Sequence, residues 1–150
     1  FDVVAEAKCP YVLTHSRGNS QTMQELSVYK DVVQDVYQEL LIQTELALKA
    51  GVLPENIIWD PGLGFAKNDE QNLILLKNIE CFTKDSFPVL VGPSRKKFVG
   101  HIIKENNPNK RLMGTAAAVC KCVASKVDIV RVHDIHEISQ TLLMAESLFS

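Results

Sequence analysis

The chain has 150 residues, of which 46% are hydrophobic and 23% are charged, and its formal net charge at pH 7 is −2. These values are typical of a soluble protein of one-domain size, and the near-neutral balance gives no support for nucleic-acid binding. No apolar run approaches the roughly 20 residues of a membrane-spanning helix. The cysteines form no CxxC pair and are interpreted as small buried hydrophobes in a reducing compartment; they are Cys9, Cys81, Cys120 and Cys122.

The first half of the chain alternates between helix and strand patterns. Residues 1–8 are typical of the end of a helix, and since the first residue is Phe rather than Met we expect the helix to begin upstream. After the break at Cys9-Pro10, residues 11–15 predict a short buried strand. Apolar residues then recur at helical spacing from residue 32 to 41, and Gly51 ends this second helix.

The second half continues the same alternation. An apolar run at 57–59 predicts a strand, and a capping box of Asn68 and Gln71 predicts the start of a helix that reaches Ile79. The remaining predicted elements are a strand at 89–91, a helix-like run from Ser94, a helix from about 112 to 125, a strand at 129–133 and a helix from 138 to 148.

Each predicted strand ends at a polar residue: His15, Asp60, Ser94 or His133. Strand–helix units of this kind form parallel sheets through right-handed crossovers, and a complete (β/α)8 TIM barrel of ~250 residues allots about 30 residues to each unit. Four strands cannot close that barrel, and an open four-stranded sheet would leave two unpaired edges. We therefore predict an α/β fold in which this chain is the second half of a TIM barrel. A self-contained four-stranded α/β domain is the alternative.

Asp60 is the first candidate binding residue, and it precedes a Pro-Gly-Leu-Gly-Phe turn that ends at Phe65. The glycines of this turn, Gly64 among them, allow the backbone to approach a ligand closely. A carboxylate there can accept two hydrogen bonds from an amidine-like edge, such as that of a guanine or a pterin, each worth roughly 1.5–3 kcal/mol. The alternative is that Asp60 only forms an Asp-Pro turn.

Positive charge is concentrated after the third predicted strand. From Arg95 to Arg111 there are six Lys or Arg residues and one acidic residue, Glu105, which indicates an anionic small molecule as the ligand. Ser94, with the free N–H groups of a helix N-terminus, predicts an anion site, unless it only caps that helix. Lys96 can place its ammonium on a ligand while its alkyl stem packs on an apolar ring, and a solvated lysine is the alternative.

Arg131 and His133 are two residues apart in the fourth predicted strand, so strand alternation puts both on one face. Two potential cations at the end of a strand suit a phosphate or a pyrophosphate. A salt bridge of Arg131 inside the barrel is the alternative.

Five segments resemble motifs of the dihydropteroate synthase family and follow one another in the family's order. They are Thr14-His-Ser-Arg-Gly18 with Thr22-Met23, Asp60-Pro-Gly-Leu-Gly-Phe-Ala-Lys67, Val91-Gly-Pro-Ser-Arg-Lys-Lys-Phe-Val-Gly100, Leu112-Met-Gly-Thr-Ala-Ala-Ala118 and Asp128-Ile-Val-Arg-Val-His-Asp134. That family is a TIM barrel that joins 4-aminobenzoate to 6-hydroxymethyl-7,8-dihydropterin pyrophosphate and releases pyrophosphate. The resemblance implies a transferase of folate biosynthesis, from a family that is a sulfonamide target. It also implies that residues 1–150 hold strands 5–8 of the barrel, and that this part alone binds substrates poorly.

The resemblance implies a pterin site at the ends of the first three strands. Asp60 would hold the amino and N3–H edge of the pterin, and Lys96 would meet its carbonyl and a nearby ring nitrogen. Gly64 and Thr14 would line the same site. Thr14 and Ser16 stand where the family has methionines, which makes this wall of the pterin site less apolar.

The other two ligands have their own expected residues. The resemblance implies that Phe65 packs on the aminobenzoate ring, that Ser94 binds its carboxylate, and that Arg131 and His133 grip the pyrophosphate. Lys96, Arg131 and His133 are therefore the expected catalytic residues. Two further motif residues, Lys67 and Arg95, are expected to have supporting roles.

The family also binds magnesium, Mg²⁺, through an Asn that would lie upstream of this chain, so no metal ligand is expected here. The resemblance implies a homodimeric whole protein, and the motifs resemble fungal versions, which are fused to the two preceding enzymes of the pathway. The expected compartment is cytoplasmic or mitochondrial. Two rival functions are a pterin-dependent methyltransferase, which needs no pyrophosphate site, and a non-catalytic pterin-binding domain.

Overall fold

Within the residues that the computed structural model describes, 1–19, 21–23 and 25–149, four short parallel strands form the centre of the fold. They are β1 Tyr11–Thr14, β2 Ile57–Asp60, β3 Leu90–Val91 and β4 Ile129–Val130. β1 pairs with β2 and β3 pairs with β4, and a parallel bridge between Trp59 and Val89 joins the two pairs. The strands therefore lie side by side in sequence order, which confirms the predicted parallel arrangement.

Helices follow each strand and cover the sheet. They are α1 Asp2–Ala7, α2 Val32–Lys49, α3 Asp69–Lys77, α4 Lys97–Ile103, α5 Leu112–Ala124 and α6 Ile135–Phe149. The capping box that the sequence predicts at the start of α3 is present, with the Asn68 and Gln71 side chains each bonded to the other residue's N–H. None of the helices in the described ranges is long and apolar enough to cross a membrane.

Two predicted boundaries are wrong, and both lie near the carboxyl end of the sheet. The helix predicted from Ser94 begins at Lys97, because Arg95 has a φ of 58° and a left-handed residue cannot continue a right-handed helix. The fourth strand ends at Val130 instead of residue 133, because its partner β3 ends at Val91 and is followed by Gly92 and a proline that lacks an N–H.

The core lies between β2 and α2 and is centred on the fully buried Trp59. Tyr37 meets the indole edge-on, with ring centroids 5.8 Å apart, and Phe87 stacks on it at 5.3 Å. The indole N–H donates to Thr44 Oγ1 at 2.8 Å, so the one polar atom of this side chain is bonded although it lies in the core.

Replacing Thr44 tests this bond. Thr44→Val keeps the shape of the side chain and leaves the indole N–H without a partner, which we expect to lower the free energy of unfolding by about 1–3 kcal/mol. Thr44→Ser is the matched control, because it keeps the hydroxyl and loses only a methyl group. Urea unfolding followed by circular dichroism measures both, and a valine variant as stable as the wild type would contradict the assignment.

Candidate active site at the carboxyl ends of the strands

Asp60 is the last residue of β2, and it is only 2% exposed. Its Oδ1 accepts from the Gly62 N–H at 2.8 Å, its Oδ2 accepts from the Thr14 hydroxyl at 3.3 Å, and Arg131 Nη2 lies 3.6 Å from Oδ2. Burial raises the pKa of Asp60, while the Gly62 N–H, Arg131, Thr14 and Lys96 oppose this rise by favouring the ionised form. Asp60 is thus a buried acceptor with donors on three sides.

The turn after β2, residues 61–67, is called the β2 loop here. Gly62 has a φ of +71°, and a Cβ atom on it would lie 2.0 Å from the carbonyl oxygen of His15. The loop can therefore pass against β1 only with glycine at this position. The close approach of the loop fixes the position of the Gly62 N–H, which donates to Asp60. Gly62 therefore contributes to the site through its backbone.

Lys96 and Phe65 lie together on the site side of the β2 loop. The Lys96 ammonium is 4.5 Å from the centroid of the Phe65 ring, and a Cβ atom on Gly64 would lie 3.1 Å from Lys96 Cδ. Lys96 is half-buried, and burial lowers its pKa, with Asp60 acting in the opposite direction and Arg131 adding to the lowering. Lys96 is therefore only partly solvated, and the packing of its stem on the ring of a ligand stays a prediction.

Arg131 follows β4 and lies across the site from Lys96. Its side chain is 56% exposed, although Nη2 is within ion-pair distance of Asp60. A Cβ atom on Gly92 would lie 3.2 Å from the same nitrogen, so the guanidinium rests against bare backbone. Arg131 thus combines the predicted position at a strand end with the salt bridge that was its alternative, and most of it stays accessible to a ligand.

Ser94 and His133 are brought together, but not in the expected arrangement. Ser94 Oγ lies 2.8 Å from His133 Nδ1 and accepts from the His133 backbone N–H at 3.2 Å. The Ser94 hydroxyl still has its O–H and a second lone pair, so it donates to Nδ1 when the ring proton is on Nε2 and accepts from Nδ1–H in the other tautomer. Ser94 is buried and lies before α4, whose N-cap is Lys96, so its predicted place at a helix N-terminus is wrong.

Two of the six cations between Arg95 and Arg111 are engaged by the protein itself. Arg95 binds Asp134 through Nε at 3.1 Å and through a second guanidinium nitrogen. Arg111 is buried, and it donates to the carbonyl oxygens of Glu105 at 3.0 Å and Arg95 at 2.9 Å. Two of the arginines therefore hold the loops around α4, and the anionic small-molecule ligand that the local positive charge indicates stays a prediction.

Arg111 is a structural residue that sequence reasoning missed. Gly100 gave a signal, since a glycine inside a helical pattern indicates a close approach. A Cβ atom there would lie 2.3 Å from Arg111 Nε and 2.6 Å from the Glu105 carbonyl oxygen. The glycine leaves room for the guanidinium to reach the backbone before α5.

His15 directly follows β1, which ends at Thr14, one residue before the predicted end, and its side chain is directed into the protein. It is buried, with Nε2 3.0 Å from Glu39 Oε2 and Nδ1 2.9 Å from the ammonium of Lys67. Burial lowers the pKa of His15 to about 4, and the charge of Lys67 adds to this lowering. His15 is thus a neutral group beneath the site and not part of its surface.

No group of three or more His, Cys, Asp or Glu side chains is placed to hold a metal ion in the parts of the chain that the structure describes. The side chains of the site are one carboxylate with two cations and an imidazole, which do not form a magnesium site by themselves. The expectation of magnesium stays a prediction about residues outside this chain.

Residues 1–133 match the family described as pterin binding enzyme. The chain belongs to this family. A dihydropteroate synthase of Synechocystis is 46% identical over 147 residues, which are 98% of this chain and 51% of that protein. The folic acid synthesis protein fol1 of Pneumocystis carinii is 40% identical over 154 residues, 99% of this chain and 21% of that protein.

Solved structures of the family have the same fold as this chain. Dihydropteroate synthase from Thermus thermophilus in complex with 4-aminobenzoate matches with a TM-score of 0.93 and 35% identity, over 99% of this chain and 60% of that one. A structure of the same enzyme in complex with 6HMPPP also has a TM-score of 0.93. These neighbours are TIM barrels, which confirms the predicted fold class. The chain spans about half the length of the curated dihydropteroate synthases that it matches.

The hydroxyl of Thr14 gives a test of the charge state of Asp60. Thr14→Val removes a donor that favours the ionised carboxylate, so we expect the pKa of Asp60 to rise further. Thr14→Ser is the control, because it keeps the hydroxyl. An NMR titration of the Asp60 carboxyl carbon measures both, and identical titration curves for the valine variant and the wild type would exclude this role of Thr14.

Proposed function

We propose that this chain supplies one half of the active site of a dihydropteroate synthase, which joins 4-aminobenzoate to 6-hydroxymethyl-7,8-dihydropterin pyrophosphate and releases pyrophosphate. One observation carries the proposal: Lys96 and Arg131 lie beside the buried carboxylate of Asp60. The three residues come from the ends of three different strands. Relatives named dihydropteroate synthase at 34–46% identity support it. The activity is that of the whole protein, meaning one that contains this chain together with the rest of the barrel.

Asp60 is the proposed pterin anchor. Each carboxylate oxygen has one lone pair engaged by the protein, through the Gly62 N–H and the Thr14 hydroxyl, and keeps another for a ligand. The amino group and N3–H of a pterin would donate to these two oxygens side by side. Arg131 would then exchange part of its contact with Asp60 for a contact with the substrate.

Lys96 and Phe65 are the proposed contacts at the junction of the two substrates. The ammonium of Lys96 would meet the pterin carbonyl and a nearby ring nitrogen, while its stem and the Phe65 ring would flank the aminobenzoate ring. In the free protein the ammonium lies over the Phe65 ring, 4.5 Å from its centroid, and it would leave this position when the substrates bind. Ser94 would bind the aminobenzoate carboxylate with its hydroxyl, which requires that hydroxyl to exchange His133 for the ligand.

Arg131 and His133 would act on the leaving group. In the reaction the aminobenzoate nitrogen bonds to the exocyclic methylene carbon of the pterin, and the bond from that carbon to the pyrophosphate oxygen breaks. Negative charge grows on the departing pyrophosphate, so cations that are already in place stabilise the transition state.

Further features of the whole protein are part of the proposal and come from the resemblance. Magnesium would be held upstream of this chain and would neutralise pyrophosphate charge. The whole protein would be a homodimer, and its fusion to other folate-pathway domains is supported by the match to the fungal fol1 protein. A pterin-dependent methyltransferase is the less favoured alternative, because it has no use for the pair of Arg131 and His133.

The decisive experiment is calorimetry of the pterin pyrophosphate, titrated into this chain and into the whole protein. We expect measurable binding to the whole protein and weaker binding to this chain, which holds only part of the site. A whole protein that binds the pterin but forms no dihydropteroate from 4-aminobenzoate would favour the non-catalytic alternative.

Replacing Asp60 tests the pterin anchor. Asp60→Ala removes about two charge-assisted hydrogen bonds, so we expect the affinity of the whole protein for the pterin to fall about 100-fold or more. Asp60→Asn keeps the shape and one acceptor and should lose less. Unchanged pterin binding in calorimetry would refute the role of Asp60.

Replacing Arg131 tests the pyrophosphate site. Arg131→Ala should weaken inhibition by free pyrophosphate much more than it weakens 4-aminobenzoate binding, because only the pyrophosphate pairs with the guanidinium. Arg131→Lys keeps one charge but not the fork of donors and should show an intermediate loss. An equal loss for both ligands would indicate unfolding and contradict the assignment.

A further inference from the structure

Beneath the candidate site, a series of polar contacts links both ends of the β2 loop to β1. Lys67 is only 3% exposed, and its ammonium lies 2.9 Å from His15 Nδ1. His15 Nε2 lies 3.0 Å from Glu39 Oε2, and Glu39 Oε1 accepts from Arg17 Nε at 3.1 Å. The contacts therefore run from Lys67 in the β2 loop to His15, which directly follows β1. From His15 they continue to Glu39 in α2 and return to Arg17.

The series closes on itself. The Arg17 guanidinium lies over the Tyr29 ring, 3.9 Å from its centroid, and the Tyr29 hydroxyl donates to the Ala66 carbonyl oxygen at 2.9 Å. Ala66 precedes Lys67, so the main chain completes the ring. We call these five side chains the loop clamp: His15, Arg17, Tyr29, Glu39 and Lys67.

Lys67 also fixes the part of the β2 loop that faces the site. Its ammonium donates to the Gly62 carbonyl oxygen at 3.1 Å and to the Phe65 carbonyl oxygen at 3.0 Å. These bonds cross the loop from beneath and bracket Gly64. Ala66 has a φ of 48°, an unfavourable conformation for alanine that needs support from its surroundings.

We propose that the loop clamp positions Gly64 and Phe65 for the aminobenzoate substrate, and that Lys67 and Tyr29 are positioning residues that act through the β2 loop. The clamp works from below, since Lys67 and His15 are buried. This proposal rests on the function proposed above for its ligand, but the order of the β2 loop can be measured without any ligand.

The protonation state of Lys67 follows from its partners. The two carbonyl oxygens can only accept, and neutral His15, which donates Nε2–H to Glu39, also accepts at Nδ1. An ammonium has three N–H groups for these three acceptors, whereas a neutral amine has two. Burial lowers the pKa of Lys67 to about 7, with Asp60 and Glu39 raising it and Arg17 and Lys96 lowering it. The clamp therefore loses a hydrogen bond as the pH rises through about 7.

Hydrogen exchange of the backbone amides in residues 62–66 of the whole protein tests the clamp. Lys67→Met removes charge-assisted bonds, so protection of these amides should fall roughly tenfold or more, and Tyr29→Phe removes one neutral bond and should lower it roughly two- to tenfold. Tyr37→Phe is the matched control, because Tyr37 lies against Trp59 outside the clamp and should leave these amides unchanged. Wild-type protection should also decrease between pH 6 and pH 8, a step that Lys67→Met lacks.

Steady-state kinetics of the same variants test the positioning role. We expect the KM for 4-aminobenzoate to rise in Lys67→Met and Tyr29→Phe and to stay constant in Tyr37→Phe. Unchanged protection in both clamp variants overturns the clamp, and faster exchange with an unchanged KM overturns its role in positioning. If Lys67→Met does not fold, Tyr29→Phe decides alone. A wild-type whole protein that forms no dihydropteroate refutes the proposed function. The clamp is then tested by hydrogen exchange alone.

Discussion

The burial of the Asp60 carboxylate is the constraint around which the rest of the site is arranged. A charged group that is 2% exposed is stable only when hydrogen bonds and opposite charges replace water. Parallel pairing places Thr14 directly opposite Asp60, and the chain after β4 brings Arg131 to 3.6 Å. The strand register therefore does more than build the sheet, because it also sets the distances between the carboxylate and its donors.

Left-handed backbone conformations shape the two loops that carry the site. In the β2 loop, Gly62, Gly64 and Ala66 have positive φ. In the loop between β3 and α4, Arg95 has positive φ as well. Such residues turn the chain without starting a helix, which leaves room for ligand-facing groups between strand and helix. The two unfavourable positions are held by tertiary contacts: Ala66 O accepts from Tyr29, and the Arg95 carbonyl oxygen accepts from Arg111. Backbone strain held in place in this way is common at functional sites.

The sequence predicted the features that depend on local pattern and on strand order. The four strand–helix units, the capping box at Asn68 and the meeting of Asp60, Lys96 and Arg131 at one end of the sheet are all present. Parallel strands bring their carboxyl ends together whatever the details of the loops. The meeting of these residues could therefore be predicted without knowing how their side chains are oriented.

What could not be predicted is which partner each polar side chain finds across the fold. Arg95 meets Asp134, a residue 39 positions away, and Ser94 meets His133 at the same separation. Charge and spacing alone do not distinguish a cation that binds a ligand from one that binds a backbone carbonyl, as Arg111 does. The same limit hid the inward direction of His15, because the alternation of β1 gives a face but not a hydrogen-bond partner.

The burial of two lysines, Lys96 in the site and Lys67 beneath it, opposes folding. Burial lowers the pKa of both Lys67 and Lys96 below the value that they have in an unfolded chain. For a lysine this means that the unfolded chain binds more protons, so the charge costs stability at low pH and stability recovers as the pH rises past the folded pKa. Lys96 and Arg131 are the two cations beside the carboxylate of Asp60, whereas the ammonium of Lys67 lies beneath the site and contacts His15 and two carbonyl oxygens. A bound pyrophosphate would add negative charge beside Lys96 and Arg131, in keeping with the function proposed for these two cations.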